Sequence, residues 1–391
     1  MKRSTDRILT THVGSLPRPA DLLDLLKRRQ AGAPYDEGAL ARHVKEAVAD
    51  VIRKQADTGI DVVTDGEMGK IGFLPYINQR LTGFDTKAWA ENQSYWTNSR
   101  EALAFPDYYA WAARQAGSAG GTGTMRRVAT GPIRYRGQEA LKADIDNLKA
   151  ALTGIEVEEA FMPSISVGNI ADWQRNEYYE TEDDYLYAIA DAMHEEYQTI
   201  VDSGLLLQVD DPILATYYVQ HPELGVADVR KWAMTRVEAL NHALRGIPRE
   251  KVRYHTCYSI NMGPRLYDME AKDIVDIMLR VKAGAYSFEA ANPRHEHEWR
   301  LWQDIALPEN AVIIPGVITN STNLIEHPDL VADRLMRFAK AVGRENVIAG
   351  ADCGFASFAT TLEIHDSVVW AKFQSLVEGA KRATMRLWRG A

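Results

Sequence analysis

Eight short apolar, β-branched runs, nearly all separated by longer amphipathic stretches, predict an α/β fold, a TIM-type (β/α)8 barrel. Two further observations agree. Polar residues collect where the apolar runs end, as at the mouth of a parallel barrel. No Gly-rich nucleotide fingerprint follows the first run, which disfavours a doubly wound sheet as the alternative.

The runs occupy 8–14, 60–65, 158–163, 205–211, 252–258, 285–290, 311–317 and 347–353. Helical periodicity covers 36–58, 182–203, 226–245, 271–282, 328–342 and 360–385. A plain barrel takes about 250 residues, whereas this chain has 391. The excess lies between the second and third runs. Segment 68–157 reads as an insertion into one barrel spanning 1–391. It is rich in aromatics (Trp89, Tyr95, Trp96, Phe105, Tyr108, Tyr109, Trp111), then Gly/Ser/Thr-rich over 116–124. A strand-like run at 127–135 and a helix at 139–152 follow. Loops after barrel strands build active sites, so the insertion is expected to cap the site or to form an oligomer contact.

Lys and Arg total 45 against 54 Asp and Glu, a net charge of −9, which argues against a sequence-blind nucleic-acid binder. No stretch approaches the roughly 20 apolar residues of a membrane span, and the charged start lacks a signal-peptide core. The expectation is a cytoplasmic protein whose partners are small molecules, with a homo-oligomer compatible with the barrel's broad outer faces. Only two cysteines are present, Cys257 and Cys353, too few for a disulfide scaffold. One disulfide, two inert thiols, or two ligands of one metal remain open.

The polar strand ends are His12 and Ser15, Asp65 and Glu67, Asp210 and Asp211, His255 and Cys257, Glu289, and Asp352 and Cys353. Residues two apart on a strand share a face, so His255 and Cys257 point together. With Glu289 and Cys353 they form a four-ligand set suited to tetrahedral Zn2+. The bland alternative is a buried core pair, since free Cys is among the most buried residue types. Two thiolates and a carboxylate leave zinc electron-rich. Such a metal suits activation of a substrate thiol better than hydrolysis. A carboxylate binds zinc less softly than a thiolate, so Glu289 is the ligand expected to yield.

Several segments, in order, resemble the C-terminal catalytic barrel of cobalamin-independent methionine synthase. They are Thr11-His-Val-Gly14-Ser15-Leu-Pro17, Gly59-Ile-Asp-Val-Val-Thr-Asp65-Gly-Glu67, Gln208-Val-Asp210-Asp211-Pro212, His255-Thr-Cys257, Glu289 and Asp352-Cys353-Gly354. The resemblance implies zinc on His255, Cys257, Glu289 and Cys353, and a homocysteine thiolate attacking a methylated folate. It also implies that Glu67 and Asp210 bind the homocysteine ammonium and Gly14 and Ser15 its carboxylate. Asp211 stands where the family usually has Glu.

The chain departs from that pattern in three places. It has no second, N-terminal barrel. Phe161-Met-Pro-Ser-Ile-Ser-Val-Gly-Asn-Ile-Ala-Asp-Trp173 replaces the family's Asn-Trp-Ser-Phe folate platform, leaving Trp173 as a stacking candidate. Gly316-Val-Ile-Thr-Asn-Ser-Thr-Asn323 replaces the loop carrying its proton-donating His. The short architecture and H-x-C…C set are also similar to epoxyalkane:coenzyme M transferase, which opens an epoxide with a zinc-bound thiolate. His295 and His297 are then the candidate proton donors, against an exposed helix start as the bland reading. Arg294 is a candidate for an anionic substrate group. A non-catalytic thiol- or amino-acid-binding protein is the third reading.

Overall fold

In the computed structural model, residues 1–88, 98–116, 125–258, 263–357 and 364–388 are described. The β-branched runs pair in parallel as eight barrel strands: β1 (Leu9–Thr10), β2 (Val62–Val63), β3 (Glu159–Ile165), β4 (Leu206–Asp210), β5 (Val252–His255), β6 (Ala285–Phe288), β7 (Val312–Ile318) and β8 (Ile348–Ala351). Their order is β1-β8-β7-β6-β5-β4-β3-β2. A parallel bridge between Thr11 and Val62 joins the two ends, so the predicted TIM-type barrel is present.

Period-two alternation sorts the side chains. Val62, Phe161 and Leu206 form one apolar layer inside the barrel, and Leu9, Ala285, Val312, Ile314 and Ile348 form another. Above them the interior turns polar. Arg253 crosses the barrel, donating to Thr11 Oγ1 (3.0 Å) and the His12 carbonyl (2.8 Å), with its guanidinium 3.8 Å over the Phe161 ring. Burial pulls its pKa down to about 9. Gln208 reaches across to the Val13 carbonyl. These bonds tie β1 to β4 and β5 just beneath the mouth. The main apolar core lies outside the strands, against the helices.

The helices follow their end signals. Asp36 caps Glu37–Thr58 by accepting from the Ala39 N–H (2.9 Å), and Gly59 ends it at φ 94°. Thr181 caps Glu182–Asp202 in the same way through Asp184. The stretch 271–282 does not form the expected single helix. Ile274, at φ −134°, separates a 3-10 turn at Ala271–Asp273 from a short helix at Val275–Met278. The last helix is Asp366–Trp388; residues 360–363 of the expected helix lie outside the described residues.

Between β2 and β3 the chain makes helices Phe73–Arg80, Arg100–Ala104, Pro106–Ala116 and Gln138–Leu152. Strands Phe84–Ala88 and Met125–Ala129 pair antiparallel, and Arg175–Asn176 joins them in a second sheet. Trp89, Tyr95, Trp96 and 117–124 lie outside the described residues. The short helix Arg100–Ala104 grips two barrel loops. Arg100 donates to the carbonyls of Tyr218 (2.9 Å), His221 (3.3 Å) and Leu224 beyond β4. Glu101 accepts the backbone N–H of Leu266 (2.5 Å) and Tyr267 (2.6 Å) beyond β5. Among the described residues, no helix is long and apolar enough to cross a membrane.

Candidate metal and substrate site

The ends of β4, β5, β6 and β8 and the turns after β1 and β2 converge on one mouth. His255 ends β5 beside Asp210, its register partner on β4. His255 Nδ1 meets Ser287 Oγ at 3.0 Å, which fixes the ring and leaves Nε2 buried without a hydrogen-bond partner. Burial lowers the imidazole to about pKa 3, so the ring is neutral, the form that ligates metals.

Cys257 and Cys353 are both buried and free. Their sulfurs are 3.5 Å apart, far beyond disulfide bonding at about 2.05 Å. One ligand atom from each of His255, Cys257 and Cys353 lies within 4.8 Å of the other two. Around tetrahedral zinc, with bonds of about 2.0–2.3 Å, donor atoms stand about 3.3–3.8 Å apart. A neutral imidazole with one unpartnered nitrogen, grouped with two adjacent thiols, therefore fits such an ion. Cys257 and burial together raise the Cys353 thiol well above the usual thiol range. A divalent cation reverses that preference, because it stabilises both thiolates.

Glu289 lies beside this trio but does not join it. Its Oε1 accepts the Tyr258 N–H (2.7 Å), and its Oε2 accepts from Asn292 Nδ2 (2.7 Å) and Arg265 Nη1 (3.1 Å). Asp352 accepts the N–H groups of Ala290 and Ala291 at 2.8 Å each, which anchors the turn carrying Glu289.

On the other flank stand two buried acids. Glu67 sits in the left-handed region at φ 57°, costly for a residue with a side chain and typical of functional turns. Asp65 Oδ1 holds that turn by accepting the Glu67 N–H (2.9 Å). Glu67 Oε2 and Asp210 Oδ2 are buried without hydrogen-bond partners. Arg18 Nη2 approaches Glu67 to 3.7 Å. Burial, and for Asp210 the neighbouring Glu67, raise both carboxyl pKa values. Such a pair is relieved by a cation placed between the two acids. Gly14 makes room for Glu67: at φ 149°, a Cβ there would lie 2.8 Å from Glu67 Oε1. Likewise a Cβ on Gly354 would collide with Ser15 Oγ, so the residue after Cys353 must be small for Ser15 to approach.

The remaining candidates are committed to other partners or lie apart from the trio. Asp211 uses both oxygens internally, accepting from Ser166 Oγ (2.8 Å) and Tyr254 Oη (2.7 Å). Trp173 ends the helix Val167–Trp173 and packs against the main core. Arg294 is turned onto the Leu266 carbonyl. His297 is exposed. His295 is locked between Glu298 (2.8 Å) and Asp268 (3.1 Å) and stacks on Tyr258 at 3.8 Å. Burial opposes its charge, but the two acids win and raise it to about pKa 9. Arg18 is a loop clamp. Its buried guanidinium donates to the carbonyls of Leu16 (3.0 Å), Ala356 (2.6 Å) and Lys70 (2.9 Å), joining the turns after β1, β8 and β2. Lys70, which donates to Pro163 O (2.8 Å), and Arg265 were not foreseen; neither sits in a periodic or motif context.

The family model described as "Cobalamin-independent synthase, Catalytic domain" matches residues 8–155 and 168–372. A methionine synthase of Sulfolobus acidocaldarius is 26% identical over 360 residues, covering 88% of this chain and 85% of that protein. One of Thermococcus kodakarensis is 24% identical over 383 residues, covering 97% and 94%. A solved structure, a B12-independent methionine synthase from Shewanella sp. W3-18-1 in complex with selenomethionine, superposes with a TM-score of 0.70 at 19% identity, covering 98% of this chain and 99% of that one.

Proposed function

Because the chain belongs to the cobalamin-independent synthase catalytic-domain family, we propose that it is an S-methyltransferase that makes methionine from homocysteine. The finer reading adds zinc on His255, Cys257 and Cys353, with Glu289 as the carboxylate at hand for a fourth position, and a methylated folate as donor. One observation supports the choice of thiol. The Cys–Cys–His trio shares its mouth with two buried acids, and Asp210 pairs in register with His255. Homocysteine carries an ammonium for that acidic pair. Coenzyme M has a sulfonate and no ammonium, and the acids would repel it.

Zinc held by His255, Cys257 and Cys353 would supply Lewis-acid chemistry that favours the thiolate form of a thiol near neutral pH. The chain's own groups do the rest. Glu67 and Asp210 accept the ammonium of the amino acid. Gly14 and Ser15, at the turn after β1, receive its carboxylate. That two-sided grip fixes the sulfur end over Cys257 and Cys353 and lowers the entropic cost of the bimolecular step. Arg100 and Glu101, from the inserted segment, pin the loops beyond β4 and β5 that border the mouth.

The test is incubation with L-homocysteine and isotopically methyl-labelled methyltetrahydrofolate, as monoglutamate and as triglutamate. Labelled methionine is expected. No labelled methionine from either form refutes the folate donor. Epoxide opening with coenzyme M by the same preparation refutes the choice of homocysteine.

A further inference from the structure

The polar network around Glu289 is more elaborate than a metal ligand needs. Arg265 Nη1 meets Glu289 Oε2 at 3.1 Å, and its Nε meets Asp268 Oδ2 at 2.9 Å. Asp268 is held in turn by His295 Nε2 (3.1 Å), whose ring lies flat on Tyr258. Tyr258 follows Cys257 and donates its own N–H to Glu289. Both oxygens of the carboxylate next to the thiol pair are thus already engaged, Oε1 by the Tyr258 N–H and Oε2 by Asn292 and the Arg265 guanidinium.

We propose that Arg265 is a positioning residue that competes with the metal for Glu289, holding the carboxylate off the Cys257–Cys353–His255 trio and so keeping one coordination position exchangeable for the substrate thiol. The inference rests on the metal reading above. An ion that takes Glu289 Oε2 as ligand competes with the Arg265 guanidinium for that oxygen, and one that takes Oε1 must draw the carboxylate against the same ion pair, so the fourth ligand is weakened without altering the other three. Losing an outer partner that supports a metal ligand costs about 10–100-fold in affinity; Arg265 instead competes for its ligand, so its loss acts in the opposite direction.

Zn2+ affinity, measured by competition with a chromophoric chelator, and the visible spectrum of the Co2+-loaded protein test this in a double-mutant cycle. Arg265→Met is expected to bind Zn2+ about tenfold more tightly, with a Co2+ spectrum shifted towards oxygen coordination. Arg265→Lys, which keeps the charge but loses the fork, is expected to fall between. Glu289→Gln is expected to abolish the gain in the Arg265→Met background and to change the wild type less. Unchanged or weaker affinity in both Arg265 variants, or a gain that survives Glu289→Gln, overturns the inference. Cys353→Ser separates the two levels. If it binds Zn2+ like the wild type, the metal reading falls. If it loses Zn2+ while the Arg265 variants stay flat, only this inference falls.

Discussion

The sulfurs of Cys257 and Cys353 meet at 3.5 Å although the residues are 96 positions apart in the chain. Only the barrel brings them together, one at the end of β5 and one at the end of β8. Unmetallated, the two buried thiols lie ready for oxidation to a disulfide after a small approach. Metal should protect them. Protein loaded with Zn2+ is expected to react slowly with a thiol reagent and to stay reduced in air. Chelator treatment should release two reactive thiols or one disulfide per chain. Equal reactivity before and after chelation contradicts a shared metal.

The acidic pair makes a prediction about substrate rather than metal. Glu67→Gln and Asp210→Asn each remove a charged acceptor from the ammonium site. A charged hydrogen bond contributes about 1.5–3 kcal/mol, so the KM for homocysteine should rise about 10–100-fold in each. Bound zinc, measured by elemental analysis, should not change. Loss of zinc with unchanged KM would instead place these acids in the metal shell.

Gly14 holds open the space that Glu67 fills. Gly14→Ala adds a Cβ 2.8 Å from Glu67 Oε1 in a backbone region that side chains rarely adopt. The expected outcome is about 1–3 kcal/mol of lost stability and a raised homocysteine KM. Chemical denaturation and steady-state kinetics check the two effects; a wild-type result in both removes the argument for this turn.

Stability should carry a pH signature from Glu196. This side chain is buried where the helix Glu182–Asp202 meets the insertion. It accepts from Tyr76, Ser164 (2.7 Å) and Tyr135 (2.8 Å), with Arg80 Nη1 4.0 Å away. Burial raises its carboxyl to about pKa 8, against the opposing pull of Lys70. Unfolded, it titrates near about 4.3. Between those values the folded chain keeps a proton that the unfolded chain has lost. Stability from this group is therefore full at acid pH, falls as pH rises to about 8, and then levels. Glu196→Gln should flatten that slope in Tm measured from about pH 5 to 8.5. Parallel curves for wild type and variant would show that Glu196 is ionised throughout.

The barrel was legible because its strands are β-branched runs and its polar residues cluster at the strand ends. His255 and Cys257 were legible through the two-residue spacing on one strand, and Cys353 through the scarcity of cysteine. Other parts depend on contacts that no local pattern encodes. Arg265 reaches Glu289 from a loop without periodicity, and the partners of Asp211, Ser166 and Tyr254, come from neighbouring strand ends. His295 carries the composition of a catalytic residue, yet Asp268 and Glu298 lock it in place. The stretch 271–282 has helical periodicity, but the chain turns at Ile274.

X-ray absorption at the zinc edge, with and without L-homocysteine, tests the central claim most directly. The account predicts bound zinc with two sulfur neighbours from Cys257 and Cys353, rising to three when homocysteine is added. Protein that binds no zinc, or zinc whose sulfur count does not change with homocysteine, contradicts it.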